Sequence, residues 1–502
     1  MRLEFRGHDY KYAAEQMMLT LFPEERPQYD LPLTGEENGV CLTLTEGEGT
    51  LDARAELTWN GKHTTGTAEV PAVPAENSLL RDRACQKVLK LAFYRAGVEA
   101  LGHEPPWGAL TGVRPVKIPT RAMERGATPD EARRELEEVY RVSPGRAELA
   151  MDCAKASLAA KRSLREDEVS LYIGIPFCPT RCAYCSFVSA DVGRALKLLP
   201  PFLEVLLQEV DAAAAELKRA GYVVRSLYVG GGTPTTLSAE QLNVLLGRVG
   251  EQFDLSRCTE YTVEAGRPDT ITAEKLAAIR KNGVQRVSVN PQTMQDHVLA
   301  AMGRAHTAAD ILRAFELVRA SGIPCVNMDL IAGLPQDTPA GFRSSLDQVL
   351  ALEPENVTVH TLALKKGSRL MGDGSGEGPV LPTAEEVDQM LSYAWSALRT
   401  HGQIPYYLYR QKYMSGSFEN VGWTKPGWES LYNICMMEEL HTILSLGGGG
   451  VTKLVNPRTG RIERIANPKY PHEYVESLEK LRTGKRQAAD FLLSLREERP
   501  KT

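Results

Sequence analysis

Six short apolar runs, at 170–175, 225–229, 260–265, 285–290, 325–331 and 357–362, alternate with amphipathic stretches through the middle of this chain. Runs of that length bounded by turn residues predict strands, and their alternation with helical segments predicts parallel strands joined by right-handed crossovers, in an open sheet or a barrel. The intervening helices carry start signals. Ser238 with Gln241, and Thr307 with Asp310, have capping-box spacing, and Thr338-Pro339 places proline in a first turn.

The pattern differs on either side. Before residue 76 it predicts a strand at 2–5, an amphipathic helix at 10–21 and alternating β segments at 40–45 and 51–59 with a turn at Gly61, a small α/β domain over 1–75. Helices at 78–97 and 128–164 flank a turn-rich stretch at 107–115, giving a helical connecting region over 76–168. The strand-rich core covers 169–371 and is closed by the glycine-rich linker at 372–379. An extension over 380–502 opens on a helix capped by Thr383 and Glu386. It continues through a tyrosine-rich strand at 406–414, a glycine turn at 446–453 and a charged helix at 471–496. The expected fold is α/β: a partial (β/α)6 TIM-like barrel core with an N-terminal α/β domain and a C-terminal α+β extension.

Composition adds exclusions. Hydrophobic residues make up 43% and charged residues 25% of 502 residues, ordinary for a globular protein. A net charge of −5 offers no electrostatic footprint for nucleic acid. The first residues are charged throughout, unlike a signal peptide, and no apolar run reaches transmembrane length, so no membrane insertion is expected and the cytoplasm is the expected compartment. Nine cysteines, an odd number, fit that compartment. Six of them (Cys41, Cys85, Cys153, Cys258, Cys325 and Cys435) are scattered singly and read as small buried hydrophobes.

The other three carry chemistry. Cys178, Cys182 and Cys185 stand within eight residues, just past the first core strand. Three thiolates this close can hold three corners of an iron-sulfur cluster and leave one iron open; a structural zinc site or buried free thiols are the alternatives. One βα unit later comes Gly230-Gly-Gly-Thr-Pro234, whose amide N–H groups can converge on an anion beside the helix opened by Ser238. Glu264, Gln292 and Asp329 fall at or just after later strand ends, where barrels of this type place their chemistry.

The Cys178-x-x-x-Cys182-x-x-Cys185 loop followed by the Gly-Gly-Gly-Thr-Pro turn resembles the radical S-adenosylmethionine (SAM) superfamily. The order of later residues resembles its oxygen-independent coproporphyrinogen III oxidase family, and Tyr407-Leu-Tyr-Arg-Gln-Lys412, Glu419-Asn420 and Leu110-Thr-Gly-Val-Arg-Pro115 resemble the HemZ branch of that family. The resemblance implies that Cys178, Cys182 and Cys185 hold a [4Fe-4S] cluster whose open iron binds SAM, flanked by Tyr172 and Tyr184. It places Gly231, Glu264 and Val451 at a first SAM, and Gly232, Thr233, Gln292, Arg304, Asp329 and Ala363 at a second. It implies a tetrapyrrole substrate, coproporphyrinogen III or a heme-like ring, and an external electron donor. Arg410 and Lys412 are candidates for the substrate carboxylates. Two positions depart from the family. Phe187 stands where a further cysteine is common in the family, giving a Cys-x-Phe pattern typical of a sister branch that carries heme to other proteins, and Gly174 stands where histidine is common. The tyrosine run with Arg410 is also similar to heme-degrading radical SAM methyltransferases.

Overall fold

A computed structural model describes residues 1–29, 37–74, 76–185, 190–191, 195–364, 368, 370, 380–411 and 417–497. The chain forms two compact units, Met1–Met151 with Tyr409–Glu419, and Asp152–Leu408 with Asn420–Thr502.

In the first unit, strands β1 (Arg2–Arg6), β2 (Gly39–Glu46), β3 (Thr50–Trp59) and β4 (Lys62–Pro71) form a sheet in that order. β1 and β2 are parallel and the other pairs antiparallel. Helix Ser78–Leu101, which the sequence places in a connecting region, shares the core of this sheet: Val88, Ala92 and Phe93 are buried with Leu42, Ala55 and Leu57. Gly66 on β4 permits that packing, because an added Cβ would lie 2.1 Å from the Ala92 carbonyl oxygen.

The second unit contains the alternating pattern. β5 (Glu168–Ile175), β6 (Val223–Gly231), β7 (Glu260–Gly266), β8 (Arg286–Val289), β9 (Cys325–Ala332) and β10 (Asn356–Thr361) are adjacent in sequence order, every neighbouring pair parallel. The intervening helices start as their sequences predict. Ser238, Thr307 and Thr383 form capping boxes, and Thr338 accepts from the Gly341 N–H ahead of Pro339. This is the (β/α)6 core. β11 (Ile404–Arg410) and β12 (Glu419–Thr424) extend the sheet beyond β10, and β13 (Ile443–Gly447), β14 (Val451–Val455) and β15 (Ile462–Ala466) extend it beyond β5. β13 runs parallel to β5, so the segment read from sequence as a glycine turn is also a strand ending in one.

Apolar and polar positions alternate along most of these strands. Leu171, Ile173, Val229, Val263, Val287, Met328 and Val359 are fully or almost fully buried. Between them stand Ser170, Tyr172, Ser226, Tyr228, Thr262, Glu264, Asn327, Asp329, Thr358 and His360, which meet one another across the strands. Because side chains on a strand point to opposite faces in turn, this sheet has an apolar face for its helices and a polar face inside the partial barrel. A polar interior suits a polar ligand better than a packed apolar plug. Among the described residues no helix is long and apolar enough to cross a membrane.

Candidate radical SAM site

The site is built at the C-terminal end of β5. The chain leaves that strand through Pro176 and Phe177 and turns through the thiol loop, where the Cys185 N–H donates to the Cys182 carbonyl at 3.2 Å. Cys182 is buried, and Cys178 and Cys185 are half-buried. The glycine turn after β6 closes over this loop: the Gly232 N–H donates to the Ile175 carbonyl at 2.8 Å and the Thr233 N–H to that of Phe177 at 2.7 Å. Thr233 also directs its hydroxyl at Cys178 Sγ, 3.5 Å away. Only glycine fits at the two preceding positions. Gly231 has φ +112°, and a Cβ on Gly232 would lie 2.4 Å from the Phe177 oxygen and 3.0 Å from Cys178 Sγ.

Arg267, just past β7, supports the loop from the other side. Its guanidinium forks onto Asp269 at 3.0 and 3.1 Å, while Nη1 donates to Thr180 Oγ1 at 2.8 Å and approaches Cys182 Sγ at 3.9 Å. The donor set fits an iron-sulfur cluster: three thiols on one short loop, with hydroxyl and guanidinium donors aimed at their sulfurs. A [4Fe-4S] cluster takes one thiolate per iron, so the thiols need not converge on a single point. Among the described residues no three His, Cys, Asp or Glu side chains do.

Glu264 sits at the end of β7, below the glycine turn. It accepts the Tyr228 hydroxyl, and a Cβ on Gly230 would lie 3.0 Å from its Oε2. Burial, reinforced by the nearby Asp329 charge, pushes its carboxyl up to about 7. Asp329, two strands away, behaves oppositely. Burial pushes it up, but hydrogen bonds and the charge from His360, with hydrogen bonds from Asn327 and Thr358, outweigh that and hold it below the ordinary carboxylate range. Tyr172, Tyr228 and Tyr432 lie nearly parallel, the last two with ring centroids 4.5 Å apart, forming an aromatic floor beside Glu264.

The remaining candidates fall around this interior. Gln292 has φ +68°, held there by hydrogen bonds from its N–H to the Asp329 carbonyl and to its own carbonyl from the Ile331 N–H, each 2.9 Å. Such left-handed residues are costly and cluster at functional sites. Arg304 is buried, donating to the Asn290 carbonyl at 2.8 Å and to the Tyr184 hydroxyl at 3.1 Å. Ala363, half-buried, follows the end of β10, and Val451 opens β14, its carbonyl accepting from Ser445 at 2.9 Å. Gly174 has a local cause: a Cβ there would meet the Gly448 carbonyl oxygen at 2.7 Å, so the turn after β13 takes the space a side chain would use.

The substrate candidates are placed differently. Arg410 belongs to the first unit, 5% exposed, stacked 5.4 Å from Trp107 and donating to the Ser417 carbonyl at 2.9 Å and to that of Leu110. Burial lowers its guanidinium to about 10. Tyr406 and Tyr407 are buried, so they are core residues of β11, not an open aromatic wall. Lys412 and Phe187 lie outside the described residues. Sequence reasoning missed Tyr228, Arg267, His360 and Tyr432. The period-2 alternation of β6 and β10 pointed to Tyr228 and His360, whereas Arg267 and Tyr432 carry no local signal.

A thiol loop at the mouth of a polar-lined (β/α)6 barrel is the arrangement of a radical SAM domain, and the model of the radical SAM superfamily matches residues 172–349. That domain implies a [4Fe-4S] cluster and SAM. The oxygen-independent coproporphyrinogen-III oxidase-like protein HemZ of Bacillus subtilis is 41% identical over 376 residues, covering 74% of this chain and 75% of the relative. The heme chaperone HemW of the same organism is 30% identical over 314 residues, 60% of this chain and 77% of that protein. Among solved structures, coproporphyrinogen III oxidase (HemN) from Escherichia coli aligns with 65% of this chain and 72% of its own at TM-score 0.48 and 22% identity. The chain belongs to the radical SAM superfamily and, within it, to the oxygen-independent coproporphyrinogen III oxidase family on its HemZ branch.

Proposed function

We propose that this chain is a cytoplasmic radical SAM oxidoreductase that converts coproporphyrinogen III to protoporphyrinogen IX without oxygen, a step of heme and porphyrin biosynthesis. The observation that carries the reading is the thiol loop held under Gly231, Gly232 and Thr233, with the half-buried Glu264 beside them in a polar barrel. When bound, the cluster and SAM would supply radical chemistry able to take a hydrogen from a propionate β-carbon, and an external one-electron acceptor would take the electron released as carbon dioxide leaves and the vinyl group forms.

The protein's part is to hold and shield. Cys178, Cys182 and Cys185 each take one iron. Glu264 receives the ammonium or ribose hydroxyls of the first SAM, bordered by Tyr172, Gly231 and Val451. Gly232, Thr233, Gln292, Arg304, Asp329 and Ala363 line the place of a second, with Tyr184 held by Arg304. Arg410 has donors committed to Leu110 and Ser417, which leaves Lys412 as the candidate for a substrate carboxylate. The electron comes from a separate donor.

Anaerobic protein with a rebuilt cluster, SAM, a reductant and coproporphyrinogen III should yield protoporphyrinogen IX and 5′-deoxyadenosine. The HemW relatives favour a second reading, a heme-carrying chaperone; tight heme retention with no decarboxylation would establish it in place of the oxidase. A methylated, ring-opened tetrapyrrole made from heme would instead identify a methyltransferase.

The Glu264 assignment predicts a pH dependence. A carboxyl that titrates near 7 must lose its proton to pair with a cation, so SAM affinity should fall as pH drops below 7, by up to about tenfold per unit. Equilibrium dialysis of reconstituted protein between pH 5.5 and 8 measures this, and Glu264→Gln should flatten the profile; equal slopes in both proteins would remove Glu264 from the binding step. The sign for folding is opposite. Between the ordinary 4.5 and about 7 the folded, SAM-free chain binds more protons at this group than the unfolded chain, so its stability declines as pH rises through that window.

A further inference from the structure

We infer that Arg267 sets the reduction potential of the cluster through Cys182, an inference that rests on the cluster reading above. Arg267 is 3% exposed and lies outside the cysteine motif, and its position is fixed by the fork onto Asp269 and the bond to Thr180 inside the loop. The same Nη1, which also lies 3.3 Å from the Thr180 carbonyl, reaches Cys182 Sγ at 3.9 Å. Cys178 differs from Cys182 in this respect: the group directed at its Sγ is the neutral hydroxyl of Thr233. Reduction adds one electron, and no proton, to a centre that three thiolates already make electron-rich. An N–H donor bearing positive charge stabilises that extra electron more than it stabilises the oxidised form, and hydrogen bonds to ligand sulfurs are a recognised control of cluster potential. Burial strengthens the effect by keeping solvent from screening it.

Arg267 therefore eases the one-electron reduction of the cluster through its contact with Cys182. Asp269 serves it by holding the guanidinium plane. The geometry needs a fork: a lysine at this position cannot bond both Asp269 oxygens while reaching Thr180 and Cys182, because its ammonium is a single point donor.

The test is a dithionite titration of the reconstituted cluster, followed by electron paramagnetic resonance without SAM, in wild type, Arg267→Gln and Arg267→Lys, with iron and sulfide measured in each. Arg267→Gln should hold a full cluster, because the three thiols remain, but at fixed poise its reduced-to-oxidised ratio should fall about tenfold, a midpoint about 59 mV lower. Arg267→Lys should fall between the two. A fully loaded Arg267→Gln protein with the wild-type midpoint overturns the inference. If Arg267→Gln takes up no iron, Arg267→Lys decides: a lowered midpoint supports the role and a wild-type midpoint overturns it. Wild-type protein that binds no iron and sulfide would sink the cluster reading itself, and this inference with it.

Discussion

Replacing Gly232 by alanine is expected to strip the cluster from an otherwise folded protein. The added methyl would stand 2.4 Å from the Phe177 carbonyl oxygen and 3.0 Å from Cys178 Sγ, and neither neighbour can yield cheaply. Phe177 is fully buried, and its carbonyl is fixed by the Thr233 N–H at 2.7 Å. Relief must come from lifting the glycine turn or displacing Cys178, and either separates the thiol from its place in the loop. Iron and sulfide per chain after anaerobic reconstitution should drop by more than half, while the far-ultraviolet circular dichroism stays unchanged. Gly250→Ala is the control. The same methyl in open space on helix Ala239–Gln252 should leave iron content alone and stabilise the helix by about 0.5–1 kcal/mol. Full iron in Gly232→Ala would show that the turn does not constrain the loop.

The largest stability loss is expected at Glu209. Its carboxylate is fully buried and accepts from Lys485 and Asn467, each at 2.8 Å, from the Gly447 N–H at 2.8 Å and from the Tyr474 hydroxyl at 2.5 Å. Glu209→Leu leaves Lys485, 2% exposed, with the Ser445 carbonyl, and strands three further donors. Breaking a buried pair from one side typically costs about 3–5 kcal/mol. Lys485→Met should cost less, since Glu209 would keep its other three donors. Thermal melting of the cluster-free chain should order wild type above Lys485→Met above Glu209→Leu. A Glu209→Leu chain that melts with wild type would mean the network contributes nothing. The loss should also reach Val451, because the turn between the two strands runs from Gly447 to Val451.

These two residues mark the limits of reading the chain directly. Gly232 was legible because everything that gives it meaning is local: a strand, a glycine triplet and a cysteine motif one βα unit away. The six core strands and the caps at Ser238, Thr307, Thr338 and Thr383 were legible for the same reason, since periodicity and capping act within a few residues. Glu209 was not. It lies mid-helix among apolar neighbours, and its partners, Gly447 to Lys485, come from 238 to 276 residues further along the chain. Arg267 and Tyr432 likewise owe their roles to neighbours that only the folded sheet supplies. The tyrosine-rich run was open in sequence: its composition suits a ligand wall and a buried strand equally well, and Tyr406 and Tyr407 are buried in the core.

The pairing of β13 with β5 also sets an order of events during synthesis. β5 is the first strand of the barrel sheet to leave the ribosome, yet one of its neighbours is among the last: Ser170 bonds His441 across 271 residues. Until that late segment arrives, one margin of β5 has no strand to pair with, and a bare strand margin invites other chains. The nascent protein therefore carries its cysteine loop at the end of a half-paired strand until residues 443–447 have been made. Cluster insertion belongs after that point, once β13 and the turn that follows it have closed against Gly174.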